Sequence, residues 1–67
     1  MAVARVTEIS STSSKSFEDA VQLGVARAAK TLRNVRGAWV KEQRVDIKND
    51  QITEYQVNLM VTFVLED

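Results

Sequence analysis

The sequence predicts a small α+β domain, in which a three-stranded antiparallel sheet is wrapped on one helix in the order β-α-β-β. Three observations predict this fold class. Apolar residues recur with helical spacing in the middle of the chain, two long alternating segments fill the C-terminal half, and a β-branched segment precedes the helix. The chain has 67 residues, enough for one domain only, so residues 1–67 are treated as a single domain.

The first strand is predicted over residues 2–9 (AVARVTEI), which are rich in β-branched side chains. The Ser/Thr cluster that follows, residues 10–16 (SSTSSKS), is typical of a loop that ends in a helix cap, because a hydroxyl oxygen accepts hydrogen bonds from free N–H groups of the first helical turn. Ser13, Ser14 and Ser16 are all suitable caps, and the sequence does not choose among them.

The helix is predicted from about Ser14 to Arg33. Its apolar residues are spaced by three and four positions and form one stripe: Phe17, Val21, Val25, Ala28 and Leu32. Gly24 lies beside this stripe. Because glycine inside a helix costs about 1 kcal/mol relative to alanine, we expect Gly24 to mark a place where the helix closely approaches the sheet.

Two strands over residues 37–48 and 51–65 are predicted to form a long hairpin. Asn49 and Asp50 suit a two-residue turn, since both residue types tolerate left-handed backbone angles. Continued without a bulge, this turn places Arg44 opposite Tyr55 on the side of the sheet that faces the helix.

The two faces of the predicted sheet differ in how they are covered. The face toward the helix is predicted to carry Ala38, Val40, Tyr55, Val57, Leu59, Val61, Phe63 and Leu65. The other face, which we call the open face, is predicted to carry Trp39, Lys41, Gln43, Val45, Ile47, Ile52, Gln56, Asn58, Met60 and Thr62. The chain has no second helix to cover these apolar residues, so another copy of the same chain is the expected cover.

Composition excludes several classes of function. The chain has no Cys and no His, so disulfides and thiolate or imidazole metal sites are absent, and so are the usual catalytic bases and nucleophiles. We therefore expect no enzyme and no metal site within one chain. Carboxylates that could bind a cation between subunits are Asp46, Asp50, Glu54, Glu66 and Asp67.

Charge and hydropathy indicate which partners and which cellular location to expect. Nine Lys and Arg residues balance nine Asp and Glu residues, which argues against nucleic-acid and membrane-surface partners. No apolar run approaches the roughly 20 residues that span a bilayer, and the N-terminal residues lack the features of a signal peptide. A cytoplasmic location is expected.

Three segments resemble the dodecin family: ARAAKTLRNV (26–35) at the end of the helix, VKEQRVDI (40–47) in the second strand, and EYQVNLMVTFVLED (54–67) at the C-terminus. The resemblance covers essentially the whole chain and depends on the order and spacing of these segments. It implies a homododecamer, a hollow shell of cubic symmetry built from trimers. It also implies a protein that stores or buffers a flavin, riboflavin or FMN, near the three-fold axes.

The resemblance also implies a flavin site, in which a tryptophan stacks on the ring and a glutamine hydrogen-bonds it. Gln56 matches that glutamine, and Arg44 matches an arginine near the flavin phosphate in several bacterial members. The family's tryptophan position is Gly37 in this chain, and Trp39 lies two residues later. The displacement keeps Trp39 on the same face but moves it roughly 6 to 7 Å along the strand.

Two alternatives therefore remain open for Trp39. It stacks on a displaced flavin, or it packs between subunits of a flavin-free assembly with a structural or cation-binding role. The family includes dodecin-like proteins without the flavin tryptophan, one group of which is described as calcium-binding, and the segment RGAWVKEQ (36–43) resembles that pattern.

Overall fold

The computed structural model describes residues 3–65. Its elements are β1 (Val3–Ser13), α1 (Phe17–Thr31), β2 (Val35–Lys48) and β3 (Gln51–Leu65). The strands form one antiparallel sheet in the order β1-β3-β2, so that β3 is the central strand. The predicted β-α-β-β fold with a three-stranded antiparallel sheet is confirmed.

β1 is longer than predicted. It continues through most of the Ser/Thr cluster and pairs with β3 without interruption, from Val3 opposite Leu65 to Ser13 opposite Tyr55. The assignment of residues 10–13 to a loop is therefore wrong, because pairing with a long central strand overrides the weak strand preference of serine. Ala2, the predicted first residue of the strand, lies outside the described residues.

The start of α1 is held by two serines with different roles. Ser16 is the cap, since its Oγ accepts a hydrogen bond from the backbone N–H of Asp19 at 2.9 Å. Ser13 Oγ accepts from the backbone N–H of Lys15 at 2.9 Å and donates to the Asp19 carboxylate at 2.6 Å. Ser13 therefore joins the end of β1 to the first turn of the helix.

The core lies between α1 and the two strands that it covers, β1 and β3. Its buried apolar residues are Ala20, Ala28, Val57, Leu59 and Val61. A Cβ atom built on Gly24 would lie 2.9 Å from Cδ1 of Leu59 and 3.1 Å from Cβ of Ser11. The close approach predicted at Gly24 is confirmed. Within residues 3–65, no helix is long and apolar enough to cross a membrane.

The helix barely reaches the third strand, β2. Ala38 and Val40 pair with buried residues of β3 and lie on the helix side as predicted, yet both are exposed. β2 is an edge strand, and in a single chain most of its residues are exposed. The helix was predicted to cover this side of β2, and within residues 3–65 it leaves Ala38 and Val40 exposed.

The turn between β2 and β3 has the predicted conformation. Asn49 and Asp50 have φ angles of 53° and 62°, which are both left-handed, as a two-residue type I′ turn requires. Lys48 pairs with Gln51, and Ile47 pairs with Ile52. Next to the turn, the register is the predicted one.

Further along, three bulges interrupt the ladder between β2 and β3. Thr53 is an extra residue on β3, Lys41 is an extra residue on β2, and Arg36 is another near the start of β2. Between Thr53 and Lys41 the pairing of residues 42–46 is shifted by one position. Beyond Lys41 the predicted register returns, so that Trp39 pairs with Met60.

The shift changes the face on which the residues of this segment lie, because side chains alternate along a strand. Arg44 pairs with Gln56 rather than with Tyr55. The predicted placement of Arg44 on the helix side is therefore wrong, and the residue lies on the open face. Gln43 and Val45, which were predicted on the open face, pair instead with the helix-side residues Val57 and Tyr55.

Candidate functional site

The open face of the sheet is arranged in rows, because each residue from 55 to 63 of the central strand pairs with one residue of β1 and one of β2. Four successive rows contain Val6, Thr62 and Gly37; Glu8, Met60 and Trp39; Ser10, Asn58 and Glu42; and Thr12, Gln56 and Arg44. The register thus brings the four residues of the predicted site to one face.

Trp39 lies in the second row and is 53% exposed. Its neighbour Lys41 reaches across β3, and Lys41 Nζ lies 3.4 Å from Oε1 of Glu8. Glu8 and Trp39 are the two cross-strand partners of Met60, so this ion pair joins the two edges of the row. An exposed indole of this kind is available to a flat ligand or to a second subunit.

Gly37 occupies an open position in the first row. A Cβ atom built on this glycine has no heavy atom of the described residues 3–65 within 4 Å, and the glycine does not have a positive φ angle. Neither packing within the chain nor backbone conformation requires glycine here. Residues 3–65 therefore leave the Cβ position of residue 37 open, at the place where the family resemblance implies a tryptophan.

Gln56 and Arg44 face each other in the fourth row. The Gln56 amide nitrogen donates to Ser10 Oγ at 3.0 Å and to Asn58 Oδ1 at 3.4 Å. Arg44 Nη2 lies 4.0 Å from an oxygen of Asp46, and the Arg44 side chain is 67% exposed. The row therefore presents an amide beside an accessible guanidinium, a combination that suits a ligand with a polar ring edge and an anionic group.

The aromatic and amide ends of this face are well separated. Met60, the partner of Trp39, and Gln56 are four residues apart on β3, which corresponds to about 13 Å along the strand. A ring stacked on Trp39 of one subunit would not lie directly above Gln56 of that subunit. A ligand that uses both residues must be long or must lie between two subunits.

The carboxylates predicted as cation ligands are only partly brought together. Asp46 pairs with Glu54 near the turn. Among residues 3–65, no group of three or more His, Cys, Asp or Glu side chains is placed to hold a metal ion. Glu66 and Asp67 lie outside the described residues.

The sequence predicted only one of the polar neighbours of Gln56. Asn58 was predicted on the open face with Gln56, because the two residues alternate in the segment EYQVN. Ser10 gave no such signal, since its cluster has the composition of a loop. A groove of about 430 Å³ between β1 and α1 lies on the helix side, and none of the four predicted site residues lines it.

The comparisons with known family models, sequences and structures all indicate the same family. Residues 3–66 match the family model described as Dodecin. A dodecin of Thermus thermophilus is 43% identical over 65 residues, which cover 97% of this chain and 94% of the relative. A crystal structure of T. thermophilus dodecin with a tryptophan-to-phenylalanine substitution has a TM-score of 0.93 and 42% identity, with 100% of both chains covered.

A further similar structure is that of a calcium dodecin from Mycobacterium tuberculosis, described as a calcium-chelating immunodominant antigen with a novel calcium-binding site. It has a TM-score of 0.83 and 31% identity, and the match covers 96% of this chain and 91% of that one. Its similarity extends over nearly the whole subunit, and its ligand differs from the flavin that the family resemblance implies.

Proposed function

The chain belongs to the dodecin family, and from this premise we propose that it is a non-enzymatic homo-oligomer that binds and buffers a flavin. The proposed assembly is a cytoplasmic homododecamer, a hollow shell built from trimers. The proposed ligand is riboflavin or FMN, held near the three-fold axes. Binding would sequester the stacked ring from solvent, while Gln56 hydrogen-bonds its polar edge.

The observation that carries this proposal is the pairing of Arg44 with Gln56 on the open face, the face that also presents Trp39. A flavin nucleotide needs an aromatic surface for its ring, hydrogen-bond partners for the polar ring edge and a cation for its phosphate. Trp39 of one subunit, together with Gln56 and Arg44 of another, would offer these three groups, since Trp39 and Gln56 of one subunit lie about 13 Å apart along the strands. The register shift between β2 and β3 is what places Arg44 with the other two.

Self-association is supported by the apolar residues that a single subunit leaves uncovered. Trp39, Val40, Ile47 and Ile52 are 53%, 39%, 62% and 52% exposed. A chain of 67 residues buries a small core, and exposed apolar side chains along the β2–β3 hairpin are typical of an interface. A protein that elutes as a stable monomer in size-exclusion chromatography would contradict the proposed assembly.

Flavin binding is tested by adding the purified protein to riboflavin and, separately, to FMN, while flavin fluorescence is followed. We expect strong quenching with a stoichiometry near one flavin per subunit, because a ring stacked on an indole loses its emission. Tighter binding of FMN than of riboflavin in the wild type, and equal binding in Arg44→Gln, would support the phosphate contact. Unchanged emission at micromolar concentrations would refute flavin binding.

Substitution of Trp39 separates the two alternatives for this residue. Stacking of an aromatic side chain on a heterocyclic base contributes about 1–3 kcal/mol. If Trp39 stacks on the flavin, Trp39→Ala therefore raises the Kd by about 5- to 150-fold. Quenching that survives Trp39→Ala unchanged would show that the indole is not the stacking surface.

Gly37→Trp tests whether the ligand position of the family is still available. The open surroundings of Gly37 leave room for the indole, so we expect tighter flavin binding and stronger quenching. Gly37→Leu is the matched control, since it adds bulk at the same place without an aromatic ring. Equal effects of the two substitutions would show that no flavin lies against residue 37.

The second candidate function is a flavin-free assembly with a structural or cation-binding role. It is favoured by glycine at position 37 and by the similarity to a calcium dodecin. Here Ca²⁺ would raise the Tm relative to a sample with chelator, while flavin emission stays unchanged. Asp46→Asn, which removes one carboxylate of the Asp46–Glu54 pair, should reduce that rise if the pair contributes to the site.

A further inference from the structure

We infer that Val45 and Thr53 are positioning residues that hold Arg44 on the open face of the sheet. The inference rests on the proposed function, in which Arg44 meets the phosphate of the ligand, and it names the residues that make this cation available. It is carried by the bulges between β2 and β3, by the half-burial of Val45 and by a hydrogen bond of Thr53.

The shifted pairing of residues 42–46 is confined to this segment, because the two bulges that enclose it compensate each other. Thr53 is the extra residue at one end and Lys41 at the other, and the adjoining pairs on both sides follow the register set by the turn. A ladder without these two bulges would leave the adjoining pairs unchanged. It would turn Arg44 to the helix side.

Val45 favours the observed register because of the side on which it packs. It is half-buried and pairs with Tyr55, whose ring centroid lies 5.1 Å from that of Phe17 on α1. Without the bulges, Val45 would lie on the open face opposite Glu54, away from these aromatic rings. Because neighbouring residues of a strand point to opposite faces, Val45 on the helix side holds Arg44 on the open face.

Thr53 stabilises the bulge next to the turn. Within residues 3–65 it has no partner in the ladder with β2, and its Oγ1 donates a hydrogen bond to the backbone carbonyl of Asp46 at 3.2 Å. The hydroxyl thus supplies a donor to β2 where the backbone ladder is interrupted. The ion pair of Arg44 with Asp46, at 4.0 Å between exposed side chains, is too weak to fix the register alone.

Cross-linking of introduced cysteines measures the register, because the chain has no cysteine of its own. Arg44→Cys with Gln56→Cys reports the observed register, in which these positions pair. Gln43→Cys with Gln56→Cys reports the register without bulges, since in the observed one the two side chains lie on opposite faces and cannot form a disulfide. The rate of closure within one subunit in oxidised glutathione is followed by mass spectrometry of the denatured chain.

We expect fast closure of the pair at positions 44 and 56 and slow closure of the pair at 43 and 56. Val45→Thr and Thr53→Val should each speed the slow closure about two- to tenfold, since a half-buried methyl group or one hydrogen bond contributes a factor of that size. Equal rates for the two cysteine pairs would overturn the inference. An unchanged rate in either variant would overturn the role of the residue concerned.

Val40→Thr and Thr62→Val are the matched controls. They make the same exchanges on the same strands, at residues that pair outside the shifted segment, and should leave both closing rates unchanged. Increases equal to those in Val45→Thr and Thr53→Val would show a general loosening of the hairpin and overturn the inference. Thr53 is exposed, so Thr53→Val keeps the test available if Val45→Thr does not fold.

Flavin titration gives a second readout, which general destabilisation would not move. In Val45→Thr/Thr53→Val without introduced cysteines, the preference for FMN over riboflavin should fall with the fraction of subunits that leave the observed register, while the Kd of riboflavin stays unchanged. An unchanged preference, or equal weakening of both ligands, would overturn the positioning role. If neither flavin binds but the cross-links form as expected, the proposed function fails while the placement of Arg44 by Val45 and Thr53 stands.

Discussion

Gly24→Ala tests the close contact between helix and sheet on which the core depends. The added Cβ atom would lie 2.9 Å from Cδ1 of Leu59 and 3.1 Å from Cβ of Ser11, whereas carbon atoms in favourable contact are about 3.5–4.0 Å apart. Leu59 is 1% exposed, and Ser11 Cβ is attached directly to the β1 backbone. Neither atom can retreat into solvent.

Two opposing effects set the size of the change in the free energy of unfolding. Overpacking of a dense core costs about 1–3 kcal/mol. Replacing glycine by alanine inside a helix contributes about 1 kcal/mol in the other direction. We therefore expect a net loss of about 1 kcal/mol in the free energy of unfolding, although alanine is the better helix former.

Urea unfolding, followed by circular dichroism and by the fluorescence of Trp39, measures this loss. The wild type and the variant must be compared at one subunit concentration, because assembly stabilises the folded subunit in a concentration-dependent way. The slope of free energy against urea should be the same for both proteins, which shows that the change is one of stability.

Ala26→Gly is the control for the helix-propensity part of the argument. Ala26 is exposed on the same helix, so its replacement removes about 1 kcal/mol without any change in packing. Gly24→Ala should destabilise the protein as well, even though it is the opposite exchange. A gain of about 1 kcal/mol in Gly24→Ala would refute the steric argument.

Three further substitutions test other contacts, each by the same urea measurement. Ser13→Ala should lower the free energy of unfolding by about 1.5–3 kcal/mol, because Ser13 is only 7% exposed and its hydroxyl donates to the Asp19 carboxylate; an unchanged midpoint would contradict this role. Asp50→Gly should raise it by about 0.5 kcal/mol, since a left-handed φ of 62° strains a residue with a side chain, and a loss would show that the turn prefers Asp. Glu8→Gln should cost less than about 1 kcal/mol, because its ion pair with Lys41 is half-exposed; this cost should disappear at high salt.

Local patterns in the chain were sufficient to predict the order of the elements, the turn and the close contact at Gly24. Helical and strand periodicities depend on neighbouring residues, and the φ angles of Asn49 and Asp50 follow from their residue types. The glycine in the helix was informative because its cost requires a compensating contact.

The same reasoning failed for the Ser/Thr cluster and for the cover of β2. Residues 10–13 form strand because β3 is long enough to pair with them, and pairing outweighs propensity. The position of α1 over β1 and β3, and hence the exposure of Ala38 and Val40, depends on how the sheet and helix pack together. No local pattern in the sequence contains that information.

The candidate site was also predicted in part from the sequence and decided in part by the tertiary structure. The register of the turn and the alternation of side chains predicted that Trp39, Gly37 and Gln56 share the open face. This prediction holds because the bulge at Lys41 reverses the register shift that begins at Thr53. Only the folded sheet revealed that Arg44 joins them. The turn sets the register up to the first bulge, and the extra residues Thr53 and Lys41 arise from the pairing and twist of three strands together. A shift of one residue moves a side chain to the other face of the sheet, so the placement of Arg44 depended on tertiary structure that its own sequence neighbours do not encode.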